Sequence, residues 1–146
     1  MRIHIGGDHA AYELQQTLIA YLEGAGHEVV NHGPFRYDEQ DDYPAFVLRA
    51  AAAVAAESGS RGVVLGGSGN GEQMAANKVR GIRCALCWNE TTAELSRRHN
   101  DANVLSLGQR MMTPEQTLAI VDRWIATPFD GGRHEARIRK LDAIEP

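Results

Sequence analysis

The chain has 146 residues, of which 43% are apolar and 23% are charged, and its net charge is -4. This length predicts one domain with a full hydrophobic core. The negative charge argues against nucleic acid as a partner, because binding a phosphate backbone needs clustered lysine and arginine. No segment has the apolar length of a membrane span, and the chain starts in a strand without a leader-like region, so we expect a cytoplasmic protein without membrane contact.

The first half of the chain predicts two strands and two helices. Residues 2–6 form a strand, a weaker strand follows at residues 28–31, and an acidic loop extends over residues 32–42. The helix between the strands ends at Gly24 and Gly26, and its apolar face comprises Leu14, Leu18, Tyr21, Leu22 and Ala25. Tyr43-Pro44 begins the second helix, because proline suits the first turn.

The second half continues the alternation. A buried strand at residues 63–65 leads through a glycine turn into a helix, and strands are predicted at residues 82–88 and 104–107. A helix at residues 91–99 lies between them. Thr113-Pro114 begins a further helix with a capping box. The last helix, residues 132–144, is too polar to be a core element throughout, so it either reaches another subunit or lies in solvent.

Strands that alternate with helices over short connections predict an α/β fold. We expect a three-layer αβα sandwich, Rossmann-like and doubly wound, with five parallel strands. Residues 1–146 form a single domain in this prediction, and the C-terminal helix protrudes from it.

The glycine turn is the feature around which we place the site. Glycines at positions 66, 67, 69 and 71 let backbone N–H groups converge on one point, and the next helix adds its positive end there. Phosphate, carboxylate or an enolate would be stabilised at such a point. Gly67, Ser68, Gly69, Asn70 and Gly71 are therefore candidate binding residues.

Two nucleotide-binding motifs fit this turn poorly. A Walker loop would need Gly-Lys-Ser/Thr, and Lys78 comes too late in the helix. A dinucleotide fingerprint would pair with an acidic residue about 20 residues on, for which Glu90 is available, but its glycine spacing differs.

Glu72 in the first turn of this helix has two interpretations. A carboxylate there interacts favourably with the helix dipole as an ordinary surface residue. A carboxylate beside an anion site also suits a general base that serves a developing oxyanion.

The two cysteines, Cys84 and Cys87, lie in a predicted strand. Their odd spacing places them on opposite faces, which indicates packing. A redox pair would sit at a helix N-terminus, and a zinc site would need further ligands.

In doubly wound sheets, ligands bind at the carboxyl ends of the strands. Several polar residues follow strands or lie on elements that leave this edge: Asp8, His9, Ser68, Glu72, Asn89, His99 and Arg110. They are therefore candidate site residues.

Taken together, these residues resemble the ribose/galactose phosphate isomerase family, which includes type B ribose-5-phosphate isomerases and galactose-6-phosphate isomerase subunits. The resemblance covers nearly the whole chain. The motifs that carry it are Gly7-Asp8-His9-Ala10, Asp42-Tyr43-Pro44, the glycine turn with Ala75-Ala76-Asn77-Lys78, residues 97–104, Gly108-Gln109-Arg110, and Gly132-Arg133-His134-Glu135-Ala136-Arg137.

The resemblance implies interconversion of an aldose phosphate and its ketose through an enediolate, without a metal or an organic cofactor. It also implies a homodimer with shared active sites, either alone or as a dimer of dimers. Asp8 and His9 match residues that contact sugar and phosphate, while His99 matches the acid that opens the furanose ring, with Asn100 as a neighbouring contact. Three arginines match phosphate-binding residues, some of them from the partner subunit: Arg110, Arg133 and Arg137.

One departure from the family pattern concerns the catalytic base. Many members carry a cysteine base at the position of Gly66, where this chain has no side chain. Glu72 matches the carboxylate that a second subgroup, similar to actinobacterial members, uses instead.

Several alternatives stay open at this point. His99 would also suit a helix C-terminus, and Arg133 and Arg137 would also suit a solvated helix face. The physiological sugar is open among ribose 5-phosphate, a tetrulose phosphate and rarer aldose phosphates. A flavodoxin-like module that binds a mononucleotide is the competing class of protein.

Overall fold

The computed structural model describes residues 1–144. The strands are β1 (Arg2–Gly7), β2 (Glu28–Asn31), β3 (Arg61–Gly66), β4 (Cys84–Leu86) and β5 (Val104–Gly108). The helices are α1 (Tyr12–Gly24), α2 (Tyr43–Ala56), α3 (Asn70–Ala76), α4 (Glu90–Asn100), α5 (Pro114–Ala126) and α6 (Arg133–Asp142). Short 3₁₀ turns, His9–Ala11 and Gln109–Met111, follow β1 and β5.

The five strands form one parallel sheet in the order β2-β1-β3-β5-β4, which confirms the predicted doubly wound architecture. From β1 the chain moves outward to β2 and then returns to add β3 on the other side of β1. The strand order therefore reverses between β1 and β3. Ligands of such sheets bind outside the carboxyl ends of the strands at this reversal.

Two apolar clusters cover the two faces of the sheet. One cluster joins Leu65 of β3 to α1, α4 and α5, while the other joins Val64 of the same strand to α2 and α3. Cys87 belongs to the first cluster and Cys84 to the second, so the prediction of opposite faces is confirmed. Burial raises the pKa of both thiols, as expected for cysteines that pack in a core.

Some predicted details differ from the structure. Ala25 lies beyond the end of α1 and is exposed, because the helix stops at Gly24 and Gly26 takes a positive φ of 87°. The strand that carries Cys84 is only three residues long. The capping box of α5 is confirmed, with the Thr113 hydroxyl accepting from the Gln116 N–H.

The last helix, α6, contacts α4 along one side. It buries His134 and Ile138 and leaves most of its other side chains exposed. Between residues 1 and 144, none of the helices combines the length and the apolar character that crossing a bilayer requires.

Candidate active site

The carboxyl ends of β1 and β3 open into a cavity of about 410 Å³. It lies at the reversal of strand order, where the sheet topology places a ligand. The residues that line it are Asp8, His9, Ala10, Tyr43, Gly67, Ser68, Gly71, Glu72, Arg110 and Met111.

Asp8 stands directly after β1 and caps the 3₁₀ turn that follows. Its carboxylate is buried and accepts a hydrogen bond of 3.0 Å from the Ala10 N–H. Burial raises the pKa of Asp8, although the hydrogen bond from Ala10 opposes this effect. The carboxylate oxygens of Asp8 are hydrogen-bond acceptors at the cavity wall, which suits them to bind sugar hydroxyls.

The turn from β3 to α3 depends on Gly69, which has a φ of 83° and precedes the first residue of the helix. The buried Ser106 hydroxyl of β5 donates to the Gly69 carbonyl at 2.7 Å and anchors the turn. Of the predicted turn residues, Gly67, Ser68 and Gly71 line the cavity. Gly69 is buried beneath the turn, and Asn70 points its amide to the Ser68 hydroxyl.

Glu72 lies in the first turn of α3 and is only 4% exposed. Its carboxylate faces the cavity beside the α-carbon of Gly66. Burial raises the pKa of Glu72, and the nearby Asp8 carboxylate raises it further. The interpretation as an exposed helix-end carboxylate is therefore wrong, whereas the geometry suits a general base.

Arg110 lies across the glycine turn. Its backbone N–H donates to the Gly67 carbonyl at 3.0 Å, and its guanidinium covers the α-carbon of Gly67 so closely that a Cβ there would lie 3.1 Å from Nη1. Arg110 and His9 are the cationic side chains among the residues that line the cavity. The anionic end of a ligand is therefore expected beside them.

Four predicted site residues lie elsewhere in the chain. His99 and Asn100 are at the end of α4, and the Asn100 carbonyl accepts from the Arg83 side chain just before β4 begins. The helix α4 has 11 residues and begins after β4. At a rise of 1.5 Å per residue, it extends about 16 Å away from the carboxyl edge of the sheet. His99 thus lies on a helix that leaves the carboxyl edge, as expected, and α4 carries it to the opposite edge of the sheet.

Arg133 and Arg137 join His99 at this opposite edge. The rings of His99 and His134 stack with centroids 4.4 Å apart, which fixes α6 against the end of α4. Both arginines are exposed, and neither forms an ion pair within residues 1–144. This edge of the described chain therefore carries two arginines without an ion-pair partner, beside an Asp130 carboxylate that Arg98 already binds.

Two residues near the cavity were missed as site residues from sequence. The Tyr43 ring packs against Gly71, where a Cβ would lie 2.7 Å from the ring. Its place in the motif Asp42-Tyr43-Pro44 was the available signal. Asp41 accepts hydrogen bonds from His9, and no local pattern indicated this contact, since 32 residues separate the two.

Two groups of residues bring three potential metal ligands within 4.8 Å of one another, Asp8 with His9 and Asp41, and His99 with Asp130 and His134. One carboxylate in each group already has a partner, because Asp41 binds His9 and Asp130 binds Arg98. Metal independence stays a prediction.

Comparisons with known proteins agree with this geometry. Residues 3–141 match the family described as Ribose/Galactose Isomerase. The chain is 53% identical to ribose-5-phosphate isomerase B of Mycobacterium tuberculosis (strain H37Rv) over 146 residues, which is 99% of this chain and 90% of that protein. It superimposes on ribose-5-phosphate isomerase B of Clostridium thermocellum with a TM-score of 0.96 and 45% identity, covering 99% and 97% of the two chains. The corresponding Mycoplasma genitalium enzyme, solved with bound ribulose 5-phosphate, gives a TM-score of 0.94 and 39% identity over 97% and 93%.

Proposed function

The chain belongs to the ribose/galactose isomerase family, and we propose that it is an aldose-ketose isomerase that interconverts ribose 5-phosphate and ribulose 5-phosphate. The observation that carries this proposal is the buried Glu72 carboxylate, which faces a cavity at the reversal of strand order. The relatives named ribose-5-phosphate isomerase B support the substrate pair. Other phosphorylated aldoses would differ in a few contacts at the sugar.

We propose that Glu72 moves the proton between C1 and C2. It takes the proton from C2 of the open-chain aldose, and the C–H electron pair forms the C1–C2 double bond while O1 becomes an oxyanion. Backbone N–H groups of the glycine turn would stabilise this enediolate. Glu72 then returns the proton to C1, O2 loses its proton and O1 regains one, which leaves the ketose.

The phosphate end of the substrate belongs beside His9 and Arg110 in this account. A phosphate dianion needs more cationic donors than these two, because each of its three oxygens accepts several hydrogen bonds. Arg133 and Arg137 form no ion pair of their own within residues 1–144 and would supply these donors, but they lie at the opposite edge of the same chain.

A homodimer would resolve this separation. The strand β4 is an edge strand, and a cavity of about 500 Å³ runs beside it from Gln73 of α3 to Asn100 of α4. A twofold axis perpendicular to β4 at this open edge would align the two β4 strands antiparallel. The His99 edge of one copy would then face the Glu72 edge of the other.

Exposed apolar residues support this choice of interface. Leu141 and Ile144 are each more than half exposed and line the cavity beside β4, and the similarly exposed Met74 lies on α3 next to Gln73. Unpaired edge strands with apolar neighbours are favourable surfaces for pairing with a second chain. We propose that the partner's copies of His99, Asn100, Arg133 and Arg137 complete each active site.

The experiment that tests the activity is a panel of phosphorylated aldoses and ketoses, followed by incorporation of solvent deuterium at C1 and C2. We expect the fastest turnover with ribose 5-phosphate and no loss of activity after treatment with a chelator. Faster turnover of a tetrulose phosphate would reassign the substrate within the family. Thermal stabilisation by flavin or nucleotide, without turnover of any sugar phosphate, would favour a binding module instead.

A charged sugar phosphate crosses a bilayer only at a high energetic cost. The enzyme and its substrate must therefore share a compartment, which we propose is the cytoplasm.

A further inference from the structure

Asp41 holds His9 through a single carboxylate oxygen. Oδ1 accepts one hydrogen bond of 2.9 Å from the His9 backbone N–H and another of 2.7 Å from Nδ1 of its ring. Because both bonds end on one atom, they fix the ring relative to the backbone that carries it. The acidic loop that contains Asp41 thus determines the orientation of a side chain that lines the cavity.

The Asp41 carboxylate has little other compensation for its charge. Its side chain is only 9% exposed, and Oδ2 is buried without a hydrogen-bond partner in the part of the chain that the structure describes. Within residues 1–144, His9 is the cationic side chain that pairs with it. A buried carboxylate is costly unless a positive charge accompanies it, so Asp41 favours the protonated imidazolium form of His9.

The other groups around His9 leave this balance intact. Asp8 adds a second negative charge nearby, and the Tyr37 ring meets the imidazole edge-on with centroids 6.3 Å apart. Arg110, the other cationic residue that lines the cavity, lies across Gly67. The hydrogen bond to Asp41 raises the pKa of His9 most strongly, while partial burial lowers it.

The second ring nitrogen is available for a ligand. With Nδ1 bound to Asp41, Nε2 forms no hydrogen bond within residues 1–144, and the ring contributes to the cavity wall. An imidazolium at this place offers one charged N–H donor next to the Arg110 guanidinium. This pair of donors suits a phosphate group.

We propose that Asp41 is a positioning residue for substrate binding, which keeps His9 charged and directs its Nε2–H to the phosphate of the sugar. This proposal rests on the proposed function for the identity of the ligand. Asp41 acts through His9 and does not itself contact the reacting carbons. The alternative is that Asp41 only holds the loop of residues 32–42 in place. In that case, removing the charge of Asp41 would not change phosphate binding.

The experiment compares Asp41→Asn with wild type at two pH values. Asparagine keeps an acceptor oxygen for both His9 N–H groups while it removes the charge, so the pKa of His9 should fall towards its ordinary value. KM for ribose 5-phosphate should then rise at least about fivefold at pH 8 and less than about twofold at pH 6, with kcat within about twofold throughout. Glu39→Gln, which removes a charge from the same loop without a contact to His9, should change neither constant.

A double-mutant cycle decides whether Asp41 acts through His9. Asp41→Asn should have no effect on KM in a His9→Gln background, because the charge that it supports is then absent. Equal effects in both backgrounds, or a change in KM that is the same at both pH values, would overturn the proposal.

An NMR titration separates this proposal from the proposed function. The pKa of His9 in wild type should lie above its ordinary value of 6.5 and should fall in Asp41→Asn, and this measurement needs neither turnover nor a substrate. A His9 pKa at or below 6.5 in wild type would refute the role of Asp41 even if the enzyme isomerises ribose 5-phosphate. If the pKa of His9 is raised but the protein turns over no sugar phosphate, the pairing of Asp41 with His9 would stand and the proposed substrate would be wrong.

Discussion

The carboxylate of Glu72 occupies the space beside the α-carbon of Gly66. A Cβ built on Gly66 would overlap this carboxylate, although the backbone of Gly66 itself would accept a side chain. Because β3 ends at Gly66 and α3 begins at Asn70, the glycine turn brings the two positions together. The absence of a side chain at position 66 is thus a requirement for Glu72 to reach the cavity.

We therefore expect Gly66→Ala to lower kcat by about 10²-fold, since a displacement of about 1 Å of a reacting group has this effect. The added methyl group pushes the Glu72 carboxylate out of place without removing it. Steady-state kinetics with ribose 5-phosphate measures the loss. Gly24→Ala is the matched control, because a Cβ at the end of α1 meets no atom within 4 Å. A Gly66→Ala enzyme with wild-type kcat would show that the position of Glu72 does not matter.

The pH dependence of kcat should reveal the raised pKa of Glu72. Only the ionised carboxylate is a base, so kcat falls as the pH drops through the pKa of Glu72 in the substrate complex. Because burial raises this pKa, the acidic limb should have its midpoint above the ordinary value of 4.5. An acidic limb at or below 4.5 would contradict the burial of the base.

The same shift predicts an effect on stability. A carboxylate whose pKa is raised by folding destabilises the folded protein when ionised, and this cost is present at pH values above the folded pKa. Glu72→Gln should therefore raise the melting temperature at pH 7, and the difference should shrink as the pH falls towards 4.5. A melting temperature that falls at pH 7 would mean that the carboxylate has a stabilising partner.

The sequence predicted the elements of the fold well, because apolar periodicity and caps are local signals. The five strands and the two faces on which Cys84 and Cys87 pack followed from alternation alone. The order of the strands was not predictable from these signals, since it depends on which strands pair across long connections. Ala25 was wrongly assigned to the apolar face of α1, because apolar residues continue past Gly24, where the helix ends.

The site was predictable where its residues lie in the segments that leave the carboxyl ends of the strands. Asp8, Glu72 and Arg110 meet in this way. The distance between His99 and the cavity did not follow from the sequence, because it depends on the length and direction of α4. Asp41 was missed because its contact with His9 joins two distant loops through side chains.

Shared active sites can be tested by mixing two inactive variants. Glu72→Gln lacks the base, and Arg137→Ala lacks a phosphate-binding arginine that we assign to the neighbouring site. In a random mixture of the two, half of the dimers are mixed and each has one intact site, so about a quarter of wild-type activity should return. The activity of the mixed dimers is compared with that of each variant alone, and co-purification shows that mixed dimers form. Activity no higher than the average of the two variants would contradict a shared site.

The role of His99 can be separated from phosphate binding by the choice of substrate. Ribose 5-phosphate is mostly a closed ring, and opening it needs a proton transfer that imidazole can perform near neutral pH. His99→Asn should therefore reduce kcat/KM for ribose 5-phosphate by about 10²-fold and that for an open-chain tetrulose phosphate much less. His27→Asn, in a turn far from α4, is the control. Equal losses on both substrates would assign His99 to binding or to its stack with His134.

The central claim is that Glu72 moves the proton between C1 and C2. Glu72→Gln keeps the shape of the side chain and α3 while it removes the base, so substrate affinity should stay near that of wild type. The measurement is the exchange of the C2 proton of ribose 5-phosphate with deuterium from solvent, followed by NMR. We predict that exchange and kcat both fall by about 10²–10⁴-fold in this variant. Exchange near the wild-type rate would contradict the account and would direct the search for the base to Asp8.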